Sequence, residues 1–259
     1  MTLLKSRFCK GMLGVFLSFA AASALWAWSG EEQSVYEKAH LSYREGRFEE
    51  AARAYETLRQ KHPDAGVLAY NLGNTYYRQG KLGESILAYE RALLLSPRDP
   101  DIRHNLERAK EGIQYRVRDN RNWYLKAGAY ALNYFSETET TLALLGVYFI
   151  FITVFTAVVF SSPGMPWGWR RKTLLGTLLI LTVLWSAKEI QLRWLRDAVV
   201  LAEEAQVRYG PSDSDKVAFR LGEGLKVYVV DKRRDWSRVL LTNGESGWVA
   251  NHQIAEVLG

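Results

Sequence analysis

Hydrophobic positions are unevenly spread along this chain, and their runs divide it before any motif is considered. Three runs are apolar almost without interruption. The first, Gly11 to Ala22, follows the basic residues Lys5, Arg7 and Lys10 and precedes the small residues Ala22, Ser23 and Ala24, with Ala27 as a second cleavage position. That order predicts a secretory signal peptide over 1–27, with an uncleaved anchor as the alternative. The second run, Thr141 to Phe160, carries no charge. As a helix it would span about 30 Å, the thickness of a bilayer's hydrocarbon core, so 141–161 is predicted to be transmembrane. The third, Thr173 to Ala187, has 15 uncharged residues, and Ile190, Leu192, Trp194 and Leu195 extend it past Lys188. It predicts a second span over 173–192, with a re-entrant or interfacial helix as the alternative.

Charge between the runs orients them. The loop 162–172 holds Arg170, Arg171 and Lys172 without an acidic neighbour, and the 15 residues before Leu142 hold no Lys or Arg. The loop therefore reads as cytoplasmic. A signal peptide then places both soluble parts in the same extracytoplasmic space. The segment 115–140 mixes charge with Trp123, Tyr124, Tyr130, Tyr134 and Phe135. It reads either as an interfacial helix on the outer leaflet or as a plain linker.

From Ala198 the texture becomes strand-like. "LKVYVVD" and "WSRVLLT" alternate, "GPSDSD" is a loop and "TNGES" is a hairpin turn. Short strands over 198–259 predict a small barrel.

The remaining soluble part repeats itself with a period of 34 residues. Tyr77, Gly80, Leu82, Glu84, Tyr89 and Pro97 fall on Tyr43, Gly46, Phe48, Glu50, Tyr55 and Pro63, and Asn71-Leu72 falls on Asn105-Leu106. The period and its punctuation resemble the tetratricopeptide repeat, with Leu72, Gly73, Tyr76, Tyr89, Ala92 and Pro97 at signature positions and Ser85 in place of the usual Ala. The resemblance implies helices at 32–45, 48–61, 66–79, 82–95 and 100–114, as two repeats (32–65 and 66–99) and a capping helix. Gly73 would allow close helix approach, Tyr76 and Tyr89 would fill the space between helices, and Gly80 would make the turn. It also implies a concave groove lined by Tyr36 and His40, by Tyr70, Asn71, Asn74, Tyr77 and Arg78, and by His104, Asn105 and Arg108. Asn side chains there could bond an extended peptide backbone, and Arg78 or Arg108 could take a carboxylate. A merely solvated inner face is the alternative. The paired basic clamp of some relatives is not evident, since Asp101 and Asn105 occupy two of its positions.

The C-terminal block resembles the bacterial SH3-like domain. Val207-Arg208, Gly210-Pro211, Leu221 with Gly222 and Gly224, Trp236, Gly244 and Gly247-Trp248-Val249 carry the likeness. It implies binding of peptides or of peptidoglycan, with Tyr209, Trp236 and Trp248 as an aromatic ligand patch, or with the two Trp in the core.

Composition narrows the function classes. The one cysteine, Cys9, lies in the leader, so no disulfide framework or cysteine metal site is expected. The net charge of +6 lies largely beside apolar segments and forms no compact basic face with interleaved aromatics, which disfavours nucleic acid. The histidines His40, His62, His104 and His252 form no metal-ligand spacing. "GEGLKV" lacks a dinucleotide fingerprint, and no phosphate-binding loop or nucleophile elbow is present. No enzyme activity, cofactor or metal is expected.

The fold class is therefore a multidomain membrane protein: tetratricopeptide helices, two transmembrane helices and a small all-β SH3-like barrel. That order of parts resembles the BatE-type proteins of the Bat (Bacteroides aerotolerance) group. The resemblance implies an inner-membrane scaffold in a periplasmic complex linked to oxidative stress tolerance. Its partners would be von Willebrand A-domain Bat proteins, together with a MoxR-type ATPase. The alternative is a cell-wall sensor binding peptidoglycan through the SH3-like domain.

Overall fold

The computed structural model describes residues 28–161 and 196–258 apart from 116, 118 and 119, with scattered positions between 162 and 195. The expected signal peptide, most of the loop 162–172 and most of the span 173–192 thus lie outside the described residues. The chain divides into two compact units, 1–54 and 55–259.

The first unit contains α1 (Gly30–Arg44) and the start of α2 (Phe48–Lys61). α1 begins two residues before the expected 32 because Ser29 caps it. The Ser29 hydroxyl accepts the Glu32 N–H at 3.2 Å, and the Glu32 carboxylate accepts the Ser29 N–H at 2.9 Å. This reciprocal pair satisfies two donors that no helical carbonyl can reach. Gly46, at φ +81°, turns the chain into α2, and Tyr43 packs edge-on against Phe48 at 5.6 Å.

The second unit contains α3 (Gly66–Gln79), α4 (Leu82–Leu95) and α5 (Pro100–Glu111). Gly80 closes α3 at φ +76°, the same left-handed turn as Gly46, so the period seen in the sequence is also a period of backbone conformation. A Cβ on Gly73 would lie 2.5 Å from the Tyr89 ring, which is why only glycine lets α3 and α4 approach here. Ser85, at the position of the usual Ala, is fully buried and donates its hydroxyl to the Gly73 carbonyl at 2.9 Å. α5 starts at Pro100, capped by Asp99, whose carboxylate accepts the Asp101 N–H at 2.9 Å. It ends at Glu111, short of the expected 114. Gly112 follows, and Ile113 then packs against buried apolar residues of α4 and α5.

α6 (Trp123–Asn133) and α7 (Glu137–Ser161) follow. Leu142, Leu145, Phe149, Ile150 and Val154 of α7 are all exposed. The side chains of α7 beyond Val154 lie outside the described residues. Among the described residues no helix is long and apolar enough to cross a membrane.

The C-terminal part is a seven-stranded antiparallel sheet. Its strands are β1 (Arg196–Val200), β2 (Glu204–Arg208), β3 (Val217–Gly222), β4 (Lys226–Lys232), β5 (Trp236–Leu240), β6 (Ser246–Ala250) and β7 (Ile254–Glu256), in the order β3-β2-β6-β5-β4-β1-β7. One apolar cluster takes Ala198, Val207, Leu221, Val227, Val239, Val249 and Ile254, a residue from every strand. A flat sheet could not converge its strands on one cluster, so this one curls around its core. A Cβ on Gly247 would meet the Val207 side chain at 2.5 Å and the Arg208 carbonyl oxygen at 2.9 Å, which explains the glycine before Trp248. Gly244, at φ +93°, makes the expected turn between β5 and β6.

Helices and sheet of the second unit share a core. Val199 of β1 and Val257 join Ile86, Leu87, Tyr89, Leu106 and Ala109 in a single buried apolar cluster. α4 packs directly on β1.

Candidate functional site

Two surfaces lie in front of a junction between helices and sheet. The junction decides which surfaces remain open. α4 reads "SILAYERALLL", with one acid in an otherwise apolar helix face, and that acid, Glu90, is 7% exposed. Its carboxylate receives the Lys226 ammonium of β4 at 2.9 Å and the Lys110 ammonium of α5 at 3.3 Å. Lys226 also meets Asp197 of β1 at 2.7 Å. Burial alone would raise the Glu90 pKa, but the two ammonium groups outweigh it and hold the carboxyl below its ordinary range. Burial would lower Lys226, but Glu90 and Asp197 outweigh it and raise the ammonium pKa. Glu90 and Lys226 are therefore both charged at neutral pH.

Backbone groups complete the junction. Lys81 precedes α4 and provides no side-chain cap, yet the Gly83 N–H donates at 2.7 Å to the carboxylate of Glu223, in the turn after β3. An anion there also meets the positive end of the helix dipole. The Arg91 guanidinium donates to the carbonyl oxygens of Val257 and Glu256, each at 3.0 Å. The outer face of α4 is thus occupied by the sheet.

The opposite helices carry the residues expected to line a groove. Tyr70, Asn71, Asn74, Tyr77 and Arg78 lie on α3, and His104, Asn105 and Arg108 on α5. The structure brings Tyr70, Asn74 and Asn105 together. Asn105 Nδ2 donates to the Tyr70 hydroxyl and to Asn74 Oδ1, each at 3.0 Å, and the buried Tyr89 hydroxyl donates to the same Asn74 oxygen at 2.7 Å. Asn74 therefore ties α3 to α4 and α5. Asn71 accepts the Thr75 hydroxyl on its backbone carbonyl at 2.6 Å. Tyr77, Arg78, His104 and Arg108 are exposed. Tyr36 and His40 belong to the first unit, where their rings stack at 6.5 Å and Tyr36 packs edge-on against Trp28 at 5.0 Å.

The aromatic patch expected on the sheet separates into three environments. Tyr209, after β2, is 75% exposed. Trp236, at the start of β5, is half-buried. Trp248 is only 8% exposed, and the Arg233 guanidinium covers its ring at 4.7 Å. It corrects the expectation of a three-ring exposed patch. Trp248 lies on β6 directly opposite Arg208 of β2 and Arg238 of β5, so neighbouring strands flank it on both sides.

Sequence reasoning missed the junction. Glu90 within an apolar helix was a signal that something charged would cover it. No local pattern could name Lys226, 136 residues away.

Residues 36–101 match the tetratricopeptide repeat family, and residues 202–256 match the bacterial SH3 domain family. No curated protein matches the chain. The helical repeats and the SH3-like sheet read from the sequence are therefore both present, and both families are binding modules.

Proposed function

We propose that the chain is a non-enzymatic, membrane-anchored scaffold that binds partner proteins through the helical groove and the SH3-like sheet. The carrying observation is the asymmetry of the stack. The sheet covers the outer face of α4, while Tyr77, Arg78, His104 and Arg108 on α3 and α5 stay exposed. A π-face, two guanidinium groups and an imidazole suit an extended segment with an acidic or C-terminal carboxylate. The exposed apolar side chains of α7 support anchoring, since an apolar surface of that extent is stable against lipid rather than against water. The fused body supports a same-side arrangement. Residues 55–111 and 196–257 pack on one core, so the chain between them must begin and end on one side of any membrane. Two spans, 141–161 and 173–192, meet that condition and one does not. The order of parts supports a Bat-type periplasmic complex linked to oxidative stress tolerance, with von Willebrand A-domain proteins as partners.

The test is a comparative pull-down from detergent-solubilised membranes with mass spectrometry as readout. The baits are the full chain and its Tyr77→Ala/Arg78→Ala/Arg108→Ala variant. These positions are exposed, so the variant keeps the Asn74 network. Partners lost from the variant support the groove, and retention of every partner refutes it. Peptidoglycan binding by the sheet is a second reading, supported by the exposed Tyr209 ring. Sedimentation of the full chain with purified sacculi, and its loss in Tyr209→Ala, tests it.

A further inference from the structure

We propose that α6 and the turn after it form a strap that seats the fused body on phospholipid headgroups. This deepens the membrane reading above and rests on it. Positions 123, 127, 130 and 134 fall on one stripe at the helical period. Trp123 is 79% and Tyr130 59% exposed, and Tyr124, Tyr134 and Phe135 are exposed beside them. The rings form a row rather than a core: Trp123 meets Tyr124 at 6.1 Å, Tyr130 meets Tyr134 at 6.0 Å, and Tyr134 meets Phe135 at 5.1 Å.

The row is held to the body at both ends. At the start, Arg121 donates to the Tyr228 hydroxyl of β4 at 3.1 Å. At the far end, the Arg103 guanidinium stands 5.9 Å from the Tyr130 ring, and Arg98 stands 5.7 Å from Tyr134 and 5.9 Å from Phe135. Arg98 also pairs with Glu139 in the first turn of α7. The strap therefore bridges the sheet and the α4–α5 loop.

Two features choose lipid over a protein partner. Tyr and Trp combine an apolar body with a polar tip, which suits the headgroup level, and the guanidinium groups beside them, held by Glu139 and the Pro97 carbonyl, place positive charge at that level, where it attracts anionic headgroups. The row is also continuous with α7, which starts four residues after α6 ends and exposes Leu142, Leu145 and Phe149. A surface that leads directly into an apolar helix meets the interface before it meets anything else.

The experiment reads depth. The full chain, with Cys9→Ser, is reconstituted in vesicles of phosphatidylethanolamine and phosphatidylglycerol. Single nitroxide labels are placed at Trp123→Cys, Tyr130→Cys, Phe149→Cys and Tyr209→Cys. Collision with oxygen reports lipid, and collision with a water-soluble nickel chelate reports solvent. The expected result is a deep label at 149, an aqueous label at 209, and labels at 123 and 130 between them with reduced nickel contact. If 149 is deep while 123 and 130 match 209, the strap is wrong and the membrane reading stands. If 149 is also aqueous, the membrane reading fails and the strap with it. Phosphatidylcholine alone keeps the phosphate but removes the net negative charge, so it should leave the label at 130 more exposed to nickel, and burial equal in both lipids would remove the attraction of the arginines to anionic headgroups.

Discussion

Replacing Glu90 by glutamine keeps the shape of the side chain and removes the charge on which the junction is centred. Lys226 and Lys110, at 2.9 and 3.3 Å, would lose their shared counterion. Leaving one member of a fully buried pair uncompensated costs about 3–5 kcal/mol. Two features soften that here: Lys226 keeps Asp197 at 2.7 Å, and its side chain is 31% exposed. The expected cost is about 2–3 kcal/mol. The Gly83 amide is the reporter. It lies in the first turn of α4, has no side-chain cap from Lys81, and donates across the junction to Glu223. Hydrogen exchange at Gly83 therefore follows undocking of sheet from helices. For the full chain in detergent, Glu90→Gln should speed that exchange by about 30- to 150-fold. Amides of the sheet core, such as Val239, should change much less. An acceleration below about threefold is what an exposed ion pair would give, and it would refute the account of the junction.

Three further outcomes follow from the same contacts. Gly83 protection should be flat from about pH 5 to about pH 9. The Glu90 pKa is depressed, so its contribution is present above the unfolded carboxylate value and is lost as pH falls through the folded one. The Lys226 pKa is raised, so its contribution is present below the unfolded lysine value and is lost as pH rises through the folded one. Exchange measured across pH in wild type and Glu90→Gln checks this, the variant losing the dependence on Glu90 at the acid end. Gly83→Ala and Gly128→Ala should have opposite signs in urea melts. Both gain about 1 kcal/mol of helix propensity, but the Gly83 Cβ would lie 2.7 Å from the Val200 carbonyl oxygen, while nothing lies within 4 Å of Gly128. Asn74→Ala should cost about 1–3 kcal/mol by leaving the buried Tyr89 hydroxyl without its acceptor, and adding Tyr89→Phe should recover part of it.

The helices were legible in the sequence because their signals are local. Gly80, Pro97 and the 34-residue period fix turns and helix ends within a few residues of themselves. The strands were legible because alternation and the Asn243-Gly244 turn are also local. What could not be read is long-range pairing. Glu223 caps a helix 140 residues earlier in the chain, and Arg91 holds carbonyls beyond β7. Asn74 shows the same limit within the groove. Its type suited peptide binding, but the hydroxyl of Tyr89, on a different helix, had already taken its oxygen. Trp248 looked like a ligand ring until the strands beside it and Arg233 covered it.

The junction changes how two binding modules on one chain can cooperate. Tethered modules gain from effective concentration, which the linker sets and which falls as the linker lengthens. Here the 25-residue α7, which contains the run Thr141 to Phe160, and the further run Thr173 to Ala187 separate the modules in sequence, a poor tether by that arithmetic. Packing removes the tether from the problem. With Glu90, Arg91 and Gly83 all bonded to the sheet, α3, α4, α5 and the strands move together. The exposed groove positions and Tyr209 are then held at one spacing, and a partner that engages both must match it. Selection is by geometry, and flexible partners pay the ordering cost themselves. Loosening the junction with Glu90→Gln should therefore weaken a partner that bridges both surfaces while leaving one that uses the groove alone unchanged. Comparing Glu90→Gln with Tyr77→Ala/Arg78→Ala/Arg108→Ala in the same pull-down separates the two kinds of partner. A bridging partner bound equally by wild type and Glu90→Gln would refute the fixed-spacing argument.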